Sequence, residues 1–96
     1  MNNWQDAYQG LDLIGGRIAF LSKDYEEMIE IRYDDGMVID VGYLDHWRSY
    51  FITVLSDDTK EAWQNPIEDI TVDDKAALAT EIQRMINKHR GKYPKG

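Results

Sequence analysis

The chain has no cysteine, so a disulfide scaffold, a thiolate metal site and a cysteine nucleophile are all excluded. This composition fits a cytoplasmic protein. Proline is scarce, at two residues, and neither sits in a proline-rich tract. No stretch approaches the roughly 18–20 apolar residues that a membrane-spanning helix needs. The first residues, Met1, Asn2, Asn3, Trp4, Gln5 and Asp6, lack the basic and apolar regions of a secretory signal. Internal repeats, low-complexity tracts and interior linkers are also missing. What is present is a mixture able to fold. Of the 96 residues, 43% are hydrophobic and 30% charged, which predicts one domain over 1–96 with a single small core.

Charge of one sign dominates, and unevenly. The formal net charge is −7. Residues 1–74 hold 17 acids and 5 bases, a balance of −12. Residues 75–96 hold one acid, Glu81, and six bases: Lys75, Arg84, Lys88, Arg90, Lys92 and Lys95, a balance of +5. An acidic body of this kind is repelled by nucleic acid and by anionic lipid, so direct binding to either is not expected. The basic segment is too small beside it to make a nucleic-acid footprint. Its ordinary explanation is complementarity to the end of a helix, followed by a flexible basic tail over 92–96.

Apolar residues at 4, 7, 8 and 11 predict a short N-terminal helix capped by Asn3, and Gly15 with Gly16 punctuates after it. Residues 17–21 read as a first strand. Residues 27–33 alternate, with Ile29, Ile31 and Tyr33 on one face. Asp34, Asp35 and Gly36 make a turn, and residues 37–43 return with Ile39, Val41 and Tyr43 on one face and Asp40 on the polar side. Residues 44–49 read as a loop, and residues 50–55, apolar on both faces, as an interior strand. Residues 60–63 fit either a short edge strand or a helical turn capped by Asp58, ended by Asn65 and Pro66. Thr71, Val72, Asp73 and Asp74 have the form of a capping box. The helical stripe behind it runs through 72, 76, 79, 82, 85, 86 and 89, with Gly91 as the stop. The expected class is α+β: an antiparallel sheet of three to five strands with a C-terminal amphipathic helix on one face.

No catalytic constellation emerges. Asp45 is adjacent to His46, and Ser49 precedes a strand instead of a sharp elbow, so no nucleophilic triad is indicated. His89 fits helix-end stabilisation. The Asp pairs at 34–35, 57–58 and 73–74 suit turn and cap chemistry and match no calcium loop. Gly15, Gly16 and Arg17 lack the ending of a phosphate loop. The chain therefore reads as non-enzymatic, with no cofactor and no metal. What remains is surface. Asp34, Asp35, Asp45, Asp57, Asp58, Glu61, Glu68 and Asp69 fall in turns or short connections, with Tyr43, His46, Trp47, Trp63 and Tyr93 in or near loops. Acidic groups with aromatic anchors suit the binding of a basic protein surface. For Trp47 and Trp63 the ordinary alternative is a core position at a strand end, with at least one of them buried.

From residue 27 to residue 88 the order is strand, Asp-Gly hairpin, strand, and a strand containing Phe51 and Ile52. A short segment then ends in Trp63, Gln64, Asn65 and Pro66, followed by Ile70, Thr71 and an Ile-rich helix. This order resembles small immunity proteins of bacterial polymorphic-toxin and contact-dependent growth inhibition systems. Trp63 and Pro66 are the family-like positions. The resemblance implies cytoplasmic neutralisation of a cognate basic toxin, a nuclease in many such systems, by covering its substrate-binding or active-site surface. The alternative expectation is a non-catalytic interaction or regulatory module, homodimeric or not.

Overall fold

The computed structural model describes residues 10–21, 29–44 and 48–91. The elements are β1 (Arg17–Leu21), β2 (Ile29–Arg32), β3 (Val38–Leu44), β4 (Ser49–Leu55), α1 (Lys60–Gln64), β5 (Glu68–Val72) and α2 (Lys75–Arg90). The five strands form one antiparallel sheet in chain order, β1-β2-β3-β4-β5. Each strand lies beside its sequence neighbour, and the connection from β4 to β5 passes through α1. The α+β class is as expected, at the upper end of the expected strand number. The N-terminal helix, the tail over 92–96, and Asp45, His46 and Trp47 lie outside the described residues.

Strand parity builds the core. Ile31 pairs with Ile39, which pairs with Val54, and Ile29 pairs with Val41, which pairs with Ile52. All six are fully buried, on one face of the sheet. Helix α2 covers that face with Leu78, Ile82, Met85 and Ile86. Tyr33 closes one end of this layer, donating its hydroxyl to the Leu13 carbonyl at 2.7 Å. Gly16 is required there, because a Cβ at that position would stand 2.6 Å from the Tyr33 ring. The β2–β3 turn also depends on glycine: Gly36 has φ of 101°, a left-handed value that a side chain would strain.

Three expectations are corrected. Residues 60–64 settle as a helical turn, and its cap is Thr59, not Asp58: the Thr59 side chain accepts from the Ala62 N–H at 3.2 Å. Asp58 instead accepts from Arg32 at 2.9 Å. Thr71 and Val72 belong to β5, paired with Phe51 and Tyr50, so the cap of α2 is Asp74, which accepts from the Ala76 N–H at 2.9 Å. The physical reason is that β4 offers Thr71 and Val72 a full ladder of backbone partners, which a capping role would leave open. The buried stripe of α2 accordingly runs through 78, 82, 85 and 86, while Ala76 is exposed. Gly91 does follow the last helical residue, with φ of −66°, so it ends the helix without a left-handed turn.

A candidate protein-binding face

The side of the sheet opposite α2 is the candidate site; among the described residues α1 covers one corner of it. At that corner Val38, Leu55 and Ala62 of α1 form a small separate apolar cluster. Next to it the register sets a polar row: Glu30 on β2 pairs with Asp40 on β3, Asp40 with Thr53 on β4, and Thr53 with Asp69 on β5. Asp40, expected on the polar side, is only 8% exposed, and Thr53 beside it 5%. Asp69, at the edge strand, is exposed. The Thr53 hydroxyl donates to Asp69 Oδ1 at 3.3 Å. A hollow of about 380 Å³ opens beside this row, lined by Leu44, Ser49, Tyr50, Phe51, Thr53, Asp69 and Thr71.

The acidic turns converge at one end of the molecule. Gly36 lies against Asp57 and Ser56, so the turn at 34–36 and the turn at 56–58 are neighbours. Most of these carboxylates already have work to do. Asp35 Oδ1 accepts from the Met37 N–H, and its Oδ2 accepts from Arg90 at 2.8 Å. The Arg90 bond, reinforced by that backbone N–H, holds the Asp35 carboxyl below the usual carboxylate range. Arg90 also stacks 4.2 Å from the centre of the Tyr33 ring, whose hydroxyl pKa is raised by burial. Asp57 accepts from both the N–H and the hydroxyl of Thr59, and the hydroxyl bond is the larger cause of its lowered pKa. Asp58 and Glu30 share Arg32 at 2.9 and 2.6 Å, and these two carboxylates, Asp58 first, hold the guanidinium proton more firmly. Asp34 is 3.5 Å from Arg17.

The basic end of α2 is spent in the same way. Glu68 Oε1 lies 2.8 Å from His89 Nε2 and 3.0 Å from Lys88 Nζ. His89 first and Lys88 next lower the Glu68 pKa. The cationic end of α2 thus pairs with the acidic body of its own chain through Lys88, His89 and Arg90.

The nominated residues therefore separate. Asp34, Asp35, Asp57 and Asp58 come together, but three of the four are paired with arginine and Asp57 is committed to its turn. Glu61 and Trp63 lie on α1. Trp63 is 47% exposed, so it is not the core residue that tryptophan statistics favour, and Ile67 beside Pro66 is 52% exposed. Asp45, His46 and Trp47 fall outside the described residues. Glu68 and Asp69, expected in a short connection, instead lie in strand β5. Among the described residues no cation lies within salt-bridge distance of Asp69, Asp73 or Glu61, and Asp73 accepts only a neutral hydroxyl, that of Ser49 at 2.7 Å. The signal for Asp69 was present as period-2 alternation through Ile70 and Val72, masked by the helical spacing from Val72 to Ala76.

Among the described residues no group of three or more His, Asp or Glu side chains is arranged to hold a metal ion. None of the described helices is long and apolar enough to cross a membrane. No family model matches the chain, and neither the curated proteins nor the solved structures contain a match to it.

Proposed function

We propose that this chain is an immunity protein that binds a cognate cationic toxin, a nuclease, and neutralises it by covering its substrate-binding or active-site surface. The observation that carries the reading is the sheet side left open by α2. Asp69, Asp73 and Glu61, which have no salt-bridge partner among the described residues, and the exposed apolar groups Trp63, Ile67 and Leu44 support it. An enzyme that binds phosphates needs a basic cleft, and an acidic surface of this size both steers toward such a cleft and excludes nucleic acid from it. The apolar groups supply the desolvated contacts that charge alone does not.

The test is co-expression with the product of the adjacent gene, followed by binding of the purified pair. The expected result is toxicity of that product alone and rescue by this chain. Charge reversal at Glu61 and Asp69 together should slow association on the order of 10-fold at low salt, with the difference shrinking as salt rises. A non-toxic neighbour, or a toxic one that is not rescued, removes the reading. A stable homodimer with no affinity for cationic protein would favour a regulatory module instead.

A further inference from the structure

We infer that the hollow between β4 and β5 receives one arginine side chain of the cationic partner, with Asp69 as the counter-charge. This rests on the proposed function and names the chemistry of its contact. The wall surface of the hollow is mostly apolar, Leu44, Tyr50 and Phe51 are among its lining residues, and Asp69 is the one carboxylate among them. A lone acidic cluster would select only for positive charge. An apolar slot ending in a carboxylate selects for a long side chain with an apolar stem and a cationic tip.

Arginine fits this arrangement better than lysine. Its guanidinium is planar and weakly hydrated, so it tolerates an apolar slot and stacks on an aromatic ring such as Phe51, whereas an ammonium keeps its water. A carboxylate has about four lone-pair sites. At Asp69 one oxygen receives the Thr53 hydroxyl at 3.3 Å, which fixes the group and leaves the other oxygen for a charge-assisted bond. The volume of about 380 Å³ is ample for a single side chain and small for a folded element. Asp69 is also exempt from the pairing that occupies Asp34, Asp35 and Asp58 with Arg17, Arg90 and Arg32. Those three turn acids have arginine partners within the chain, whereas among the described residues Asp69 has no cation within salt-bridge distance.

The experiment is an amide-shift titration of the full chain with N-acetylarginine amide, and separately with N-acetyllysine amide. Arginine amide is expected to move Phe51, Thr53, Asp69 and Thr71, and to bind more tightly than lysine amide. Asp69→Asn, nearly isosteric and on the solvent side of an edge strand, should weaken it on the order of 10-fold, as should Phe51→Ala. Shifts confined to the turns at 34–36 and 56–58, equal affinity for lysine amide, or unchanged binding in Asp69→Asn would overturn the assignment. The two readings fail separately. If toxin is neutralised equally by Asp69→Asn and by the unmodified chain, the hollow assignment falls and the inhibitor reading survives. If arginine amide binds the hollow but no toxin is neutralised, the reverse holds.

Discussion

Trp63 and Leu55 make opposite demands on the same corner of the molecule. Leu55 is fully buried under α1 with Val38 and Ala62, whereas nearly half of Trp63 remains in water. Leu55→Ala should therefore cost about 2–5 kcal/mol in urea unfolding, from lost transfer energy plus a cavity. Trp63→Ala should change stability by no more than about 0.5 kcal/mol, because an exposed ring is not held by packing. If Trp63 is a binding anchor, the second variant keeps its fold and loses affinity for the toxin. A Trp63→Ala variant as destabilised as Leu55→Ala would place the ring in the core and remove it from the interface. Individual carboxylates divide just as sharply. Asp35 and Asp69 look equivalent as letters in an acidic sequence. One is held by Arg90, 55 positions away, and the other is left open.

At the scale of elements, the instructive case is the junction of β5 and α2. Thr71, Val72, Asp73 and Asp74 carry the spacing of a helix start. The ladder with β4 claims the first two residues, and Asp74 takes the cap. Asp74→Ala should cost about 0.5–2 kcal/mol by loss of the bond to the Ala76 N–H. Thr71→Ala, with its side chain exposed, should cost far less, and thermal unfolding of the two variants checks the order. Strands β2 and β3, their Asp-Gly turn and the body of α2 were legible in sequence, because period-2 alternation and a 3.6-residue stripe are each dictated by a buried face. Strand β5 was not, because five residues hold too little pattern to outweigh a helical spacing that overlaps them. The candidate site suffered with it. Turn aspartates announce themselves by composition, whereas the pairing of Asp69 with Thr53 shows only when β5 is placed beside β4.

At the scale of the molecule, acidic body and basic helix end bind each other through Arg90 to Asp35 and through Lys88 and His89 to Glu68. Asp35, Asp57 and Glu68 all have lowered pKa values. A carboxyl whose folded pKa is depressed adds stability that is present above its unfolded value and lost as pH falls through the folded one. Urea midpoints should accordingly hold down to about pH 4–5, where free carboxylates begin to protonate, and decline below it. Glu68→Gln should flatten that acid limb. A midpoint that rises on acidification in the unmodified chain would contradict the assigned pairings.

The sequence by itself determined the class of fold, the central hairpin, the long C-terminal helix and an acidic body with a basic end. Each of these is a one-dimensional property: a period, a turn residue or a running sum of charge. Tertiary structure alone decided which acids are spent and which are available. That depends on arginines brought from distant positions, as with Arg32 at Asp58 and Arg90 at Asp35. It also decided which face is open. Strand parity sorts side chains into two sets, but only the docking of α2 onto Ile31, Ile39 and Val54 chooses the covered set. The other set, with Asp69, Phe51 and the hollow they line, lies on the opposite side of the sheet.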